Sequence, residues 1–536
     1  MTLFEQSGPR LSNTYSADPY LTALLKQRAA KHLESWQAPL ERMGDLSAHV
    51  LYPLQQDDRL NEPVLTQWSP WGERIDEIRL TPLWAKAEQI AVEEGLVALA
   101  YEKTYAEHSR LLQFALVYLF TPSSDIYSCP LAMTDGAATT LIQSDNPTLA
   151  EHALPHLTSR DPQHFWTSGQ WMTELPGGSD VSRTETIARK VEGQWLLFGR
   201  KWFTSATTSQ MALALARPEG NASGSKGLAL FYIEPRDAQG KLQNIAVNRL
   251  KDKLGTRKVP TAELLLTGAP AQLVGESTHG VKHIAPMLNI TRTWNAVSAI
   301  GLMRRGLQLA WSYATQRHAF GDLLIRKPLH RETLLQQEAQ FAGAFCFTFA
   351  CVHLLGKLEN NTATAQEQQQ LRLFVPLLKL MTGKQVVSVL SEVMESFGGA
   401  GYVEDTGIPQ LLRDAHVLPI WEGTTNVLSL DSLHVLLKSG HLTLEHWLSP
   451  AHQQANGPAY AQGRQHIQNA LAQVQSLQGQ PEELEAHARK IAMQFASGLE
   501  LLYLADFAAE TPAITFANDT SEALTIATEN LLTRLL

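Results

Sequence analysis

Apolar positions recur along the chain in two rhythms, and the change of rhythm divides it. From residue 82, "PLWAKAEQIAVEEGLVALAYEK" and then "HSRLLQFALVYLF" set apolar side chains three and four residues apart with few glycines, the spacing of helices that bury a face. The stretch before Pro82 is looser. Residues 1–165 therefore read as an N-terminal helical domain with an N-terminal extension. Between about 166 and 275 the rhythm shortens. "ARKVEGQWLLFGRKWFTSA", "QMALALARP", "GLALFYIEP" and "TAELLLTGAPAQLVGE" are β-prone runs parted by turn signals at Glu192-Gly193, "EGNASGSKG" and "PRDAQGK". They predict a compact antiparallel β domain over 166–275.

After Gly280 the helical spacing returns. Ile300, Met303, Leu307, Ala310 and Ala314 share one stripe, which Gly321 and Pro328 end, and a second helical run over 366–397 closes in "FGGAGY". Residues 276–440 form a helical bundle domain on this reading. In 441–536, Leu484, Ala488, Ile491, Phe495, Leu499 and Leu502 make another long stripe, predicting an additional C-terminal helical domain behind a linker at "QQANGPAYAQG" (453–463). The expected class is α+β multidomain. Its order is not the alternating βαβ pattern of a Rossmann fold, and "GNASGSKG" lacks the GxGxxG spacing. A nucleotide cofactor would need another kind of cradle.

Composition narrows the class further. A chain of 536 residues, 44% hydrophobic and 18% charged, is globular and too long for one ordinary core. Its net charge of −9 gives no general attraction to nucleic acid or anionic lipid. Three cysteines, Cys129, Cys346 and Cys351, without a CxxC pair, point to a reducing compartment and away from thiolate metal sites. The start, "MTLFEQSGPRLSNTY", carries no signal or transit pattern, so a cytoplasmic location is expected. "LLQFALVYLF" (111–120) is about half the length of a membrane span. His152 and His156 are separated by Pro155 and no HExxH, GxSxG or Walker A motif occurs, which leaves metal, serine-hydrolase and P-loop chemistry unsupported.

Several short stretches carry candidate chemistry. In "PIWEGTTNV" (419–427) a single carboxylate, Glu422, stands between Trp421 and a Gly-Thr-Thr turn, with apolar runs on both sides and no neighbouring cation in sequence. A carboxylate kept dry is a stronger base. "WMTELPGGSDV" (171–181) groups hydroxyls and bare amides around a Gly-Gly turn, suited to a phosphate or a polar heterocycle. "GRKWFTS" (199–205) sets an aromatic wall beside hydroxyls. "QRHAFG" (316–321) ends a helix on Arg317, a natural fork for pyrophosphate, and "FGGAGY" (397–402) has more glycines than a helix cap needs. Each has an ordinary structural reading as well.

Their order and spacing, "MTELPGGSD", "GRKWFTS", "QRHAFG", then "FGGAGY…LLRDAHVLPIWEGTTN", closely resembles the acyl-CoA dehydrogenase family from about 80 to 440. "RLKDKLGTR" (249–257), the Trp of "IWEGTTN" and the helical tail look most like its AidB branch of adaptive-response flavoproteins. The resemblance implies an N-terminal helical domain, a β domain and a C-terminal four-helix bundle holding FAD. It makes Glu422 the base that takes the α-proton of an acyl thioester. Met172, Thr173, Ser179, Phe203, Thr204 and Ser205 become flavin contacts. Arg317, Phe320, Gly398 and Gly399 would reach FAD of a neighbouring subunit in a homotetramer. Trp421, Thr424 and Asn426 complete the cofactor site, and Arg257 and Arg292 are candidate substrate contacts. Electron-transfer flavoprotein is the implied acceptor.

Two features depart from the family pattern. The acid of the "D-x-x-R" helix start is Asn289 before Arg292, which weakens the expectation of CoA binding. Residues 431–536 hold five Lys/Arg against eleven Asp/Glu, which disfavours DNA binding through the tail. The expected activity is oxidation of an acyl-CoA to the 2-enoyl-CoA. The alternatives are a flavoprotein that binds acyl ligands or protects DNA with little turnover, and an acyl-CoA oxidase.

Overall fold

The computed structural model describes residues 6–516 and 524–536, and the chain divides into two compact units. One takes in Met1–Gln56, Lys103–Ser123 and Asn295–Leu536; the other takes in Asp57–Glu102 and Ser124–Trp294.

The second unit is built on seven strands: β1 (Ser168–Trp171), β2 (Ile187–Val191), β3 (Gln194–Ser205), β4 (Met211–Pro218), β5 (Ala229–Ile233), β6 (Ile245–Leu250) and β7 (Thr261–Leu273). Pairing runs β1-β4-β2-β3-β7-β5, β5 returns to β4, and β6 lies on β7. The ladder thus closes on itself around a core that includes Leu197, Ala214, Phe231, Val247 and Leu264. The sheet is not purely antiparallel as the turn signals predicted: β1 and β2 both run parallel to β4. Parallel pairing needs a long return connection, and the chain between β1 and β4 supplies it. A hairpin of Val64–Trp68 and Arg74–Arg79 reaches β6, where Gln67 Nε2 donates to Val247 O at 2.9 Å.

The first unit is helical. Its main members are α1 (Gly280–Ala314, shared with the other unit), α2 (Pro328–Glu359), α3 (Ala365–Ser396), α4 (Thr425–Ser439) and α5 (Pro481–Glu510). The stripe residues expected on α1 and α5 are all buried. Helix α2 has no stripe to read, because residues 341–350 are buried on every side. Helices α2 and α3 are long and apolar enough to cross a membrane by length and composition; 83% of the apolar window of each is buried within the fold.

The expected linker at 453–463 is instead mostly helix. Pro450–Gln454 is one short helix, and Pro458 opens another, Pro458–Ser476, at a position where its fixed φ favours initiation. Gly463 is a contact rather than a hinge: a Cβ there would lie 2.9 Å from Leu502 Cγ and 3.0 Å from Gly498 O on α5. Helix α5 packs on α2, α3 and α4, so the tail and the bundle share one core instead of forming two domains.

Glu500 on α5 is buried in that core. Gln385 Nε2 donates to its Oε2 at 3.0 Å, while Oε1 has no partner among the described residues. Burial pushes its carboxyl up to about 8 from 4.5. The folded state therefore holds this proton more tightly than the unfolded chain does, and stability from this group falls as pH rises from about 4.5 through about 8. Glu500→Gln is expected to flatten that part of the stability profile, read by urea unfolding at several pH values.

Candidate active site

Glu422 sits on the turn that joins Ile408–Ala415 to α4. It is half-buried and its backbone is left-handed, with φ +57°. That conformation strains a residue with a side chain and persists only where the surroundings enforce it. The enforcing contacts come from two helices. Lys379 of α3, fully buried, donates to Gly423 O at 2.6 Å, and Trp421 Nε1 donates to Asn295 Oδ1 of α1. Gly383 of α3 lets the loop approach closely, since a Cβ would lie 3.2 Å from Leu418 O. Gly423 (φ +96°) would meet Leu428 Cδ2 at 3.0 Å if it bore a Cβ, so only glycine fits there comfortably. Thr424 caps α4, accepting from Val427 N, and Asn426 is exposed on the first turn.

In the β unit, two segments are held side by side. Trp202 N donates to Thr173 O at 3.0 Å. Beneath them, Lys201 and Glu174 form an ion pair of 2.7 Å with side chains 0% and 1% exposed. Glu174 also accepts from Glu185 N and from the amide and hydroxyl of Thr186; Lys201 also donates to Leu215 O. Burial lowers Lys201 from the usual lysine range, and Glu174 opposes that shift. A register shift of β3 between Lys201 and Thr204 points both of those residues inward and leaves Trp202 and Phe203 between them on the outer side. Phe203 is 49% exposed, and Lys251 Nζ lies 3.3 Å from the Trp202 ring centre. Thr204 directs its hydroxyl inward to Ala262 O, and Ser205 pairs with Thr261. Met172 and Thr173 are half-buried, and Ser179 is exposed. A Cβ at Gly178 would meet only Thr173 Cγ2, at 3.8 Å, so that side of the turn is open.

Comparison with known proteins places this arrangement. Residues 278–436 match the acyl-CoA dehydrogenase C-terminal domain, 169–269 its middle domain, and 8–163 the N-terminal domain of the adaptive response protein AidB. The chain is 45% identical over 444 residues to acyl-CoA dehydrogenase family member 11 of Caenorhabditis elegans, covering 81% of this chain and 72% of that protein. The chain belongs to the acyl-CoA dehydrogenase family. AidB of Escherichia coli is 32% identical over 448 residues, 82% of this chain and 80% of that one, which sets the chain on the AidB-like branch. The crystal structure of C. elegans ACDH-11 in complex with C11-CoA superposes with a TM-score of 0.89 at 38% identity, covering 99% of this chain and 92% of that chain.

As a member of the acyl-CoA dehydrogenase family the protein is an FAD-dependent oxidoreductase, and its residues fit that cofactor. The exposed Phe203 ring and the Ser205 hydroxyl suit a flat heterocycle, and the open turn with Thr173 and Ser179 suits polar groups. Other expected contacts are placed less directly. Phe320 is 96% exposed in a left-handed conformation, φ +52°, and Gly398 and Gly399 are exposed with open space around them. At Gly401 of the same cluster a Cβ would overlap Met394 O, so the end of its own helix requires that glycine. Arg317 donates to Gln6 Oε1 at 3.2 Å.

Arg257, expected as a substrate contact, pairs with Glu62 at 2.5 Å and Asp252 at 2.7 Å, and neighbouring Lys258 is buried against Asp58. Arg292 is buried on α1, at 9% exposure. Residue spacing did not single out Lys379, Asn295, Glu174 or Lys201. The available signal was a lone lysine inside the apolar run "VPLLKLMTG", which a core tolerates only when the ammonium has somewhere to go.

Two substitutions test the supports. Lys201→Met leaves Glu174 buried without its cation and is expected to cost about 3–5 kcal/mol in denaturant unfolding, with partial recovery in the Glu174→Gln/Lys201→Met double variant. Lys379→Met removes the charge-assisted bond to Gly423 O, worth about 1.5–3 kcal/mol. It is expected to lower kcat more than it lowers FAD content, because the bond holds the Glu422 loop.

Proposed function

We propose that the protein oxidises an acyl-CoA thioester to the 2-enoyl-CoA, with Glu422 as the base. The observation that carries this reading is the fastening of Glu422: a strained carboxylate on a loop bound to two core helices through Lys379 and Asn295. Proton abstraction next to a thioester rewards a base fixed in position before substrate arrives. Glu422 takes the α-proton, and the C–H electron pair becomes the new double bond as hydride departs from the β-carbon. Bound FAD supplies the acceptor for that hydride, which no side chain can. Trp421, pinned by Asn295, limits water beside the carboxylate, while Phe203, Thr173, Ser179 and Ser205 orient the cofactor from the β unit. The likeness to ACDH-11, crystallised with C11-CoA, supports an acyl-CoA as ligand.

The same reading makes the protein a cytoplasmic homotetramer that passes electrons to an electron-transfer flavoprotein. Bare Phe320, Gly398 and Gly399 support a subunit contact there. A second reading, binding of acyl ligands with little turnover, draws on Asn289 and on the engaged Arg257. The acidic tail argues against DNA as the partner of that region.

Anaerobic mixing of the yellow protein with short, branched and long acyl-CoAs decides between them. Turnover predicts bleaching of the flavin band by at least one chain length and a loss of about 10²–10⁴-fold in that rate in Glu422→Gln. Acyl-CoA binding without bleaching leaves the second reading standing, and a Glu422→Gln protein that bleaches at the native rate removes Glu422 from the mechanism. Peroxide release in air identifies an oxidase.

A further inference from the structure

Two adjacent arginines on α1 are both buried, but only one has a counter-charge. Arg304 meets Glu338 at 2.7 Å and Asp18 at 3.7 Å. Arg305, 2% exposed, meets no carboxylate among the described residues. Its Nη2 donates to Ser123 Oγ at 2.8 Å and Ser47 Oγ at 3.2 Å, and its Cζ lies 5.1 Å from the Tyr52 ring centre. Its Nε and Nη1 are shut off from solvent and have no acceptor among the described residues. Burial lowers Arg305 only to about 10, so it is charged at neutral pH.

We propose that Arg305 anchors an enclosed binding site for a small monovalent anion of the halide class. A buried charge without a partner costs several kcal/mol, and a water molecule satisfies donors without neutralising them. An anion does both. One unpaired positive charge calls for one negative charge, and donors closed to bulk solvent favour an ion near the size of water over phosphate.

Ser47 donates to Leu119 O at 2.7 Å and touches Ser123 at 3.1 Å, so both hydroxyls meet Arg305 as acceptors of Nη2, and the anion would be held by Nε and Nη1. Ser47 lies in a π-helical segment, Leu46–Leu51, where Tyr52 N donates to Ser47 O. Such widened turns are rare and concentrate at functional sites. Here the widened turn sets Ser47 and Tyr52 around a single guanidinium. All these residues lie in one compact unit.

The test uses the FAD-loaded protein at constant ionic strength, exchanging sodium gluconate for sodium chloride or bromide. The native protein is expected to gain about 2 °C in Tm, saturably. Arg305→Met is expected to lose that dependence, and Ser123→Ala, which removes only a neutral acceptor of Nη2, to keep it. Bromide-soaked crystals of the native protein are expected to show an anomalous peak against the Arg305 guanidinium, a readout that stands even if Arg305→Met does not fold. A water at that position with no bromide, or an equal halide response in native and Arg305→Met protein, overturns the proposal.

Discussion

The ion pair between Lys201 and Glu174 is the constraint on which the side of the β unit carrying Thr173 and Phe203 depends. Both side chains are almost wholly out of water, so neither tolerates loss of the other. Glu174 follows directly on Thr173, and Lys201 directly precedes Trp202 and Phe203. Fixing the pair therefore fixes both segments at once. The remaining Glu174 oxygen valences go to Glu185 and Thr186, which ties down the far side of the Gly-Gly turn. The turn can then remain open at Gly178 without being loose at its ends.

The same device recurs in the helical unit with a different partner. The ammonium of Lys379 reaches the backbone carbonyl of Gly423, one residue beyond Glu422. A carbonyl accepts a cation's hydrogen bond without carrying a full charge of its own, and here it anchors the loop one residue beyond Glu422. The left-handed backbone at Glu422 follows from that anchoring: Trp421 is held toward α1 and Gly423 toward α3, and the residue between them must turn sharply.

Much of this architecture was legible from spacing. The stripe on α5 was readable because its first turns have a wet face, and periodicity measures the contrast between faces. Over 290–307 of α1, 341–350 of α2 and 373–383 of α3 every residue is buried, so spacing there marks a helix without marking which side faces water. The tail was read as a separate domain because Gly457-Pro458 and Gly463 mark breaks by composition. In the structure one proline starts a helix and one glycine permits a close helix crossing. At the site, the motif residues themselves stood out, whereas Lys379, Asn295 and the Glu174–Lys201 pair act through long-range contacts that no local window contains. The pairing of Arg257 was hidden in the same way, since its partner Glu62 lies far away in sequence.

The interior cations make a final comparison. Lys201 has a carboxylate, Lys258 has Asp58 and two carbonyls, Lys379 has a carbonyl, and Arg304 has two acids with aromatic rings of Tyr20, Phe341 and Phe516 around it. In each case the chain brings a strong acceptor from a distant segment to a cation that burial would otherwise penalise. Arg305 receives two serine hydroxyls and a tyrosine face, all neutral. What sets Arg305 apart is that Nε and Nη1 are both buried without an acceptor among the described residues, and that is the place proposed for a charge from outside the chain. That is why the asymmetry between two consecutive residues of α1 carries more weight than the burial of either one.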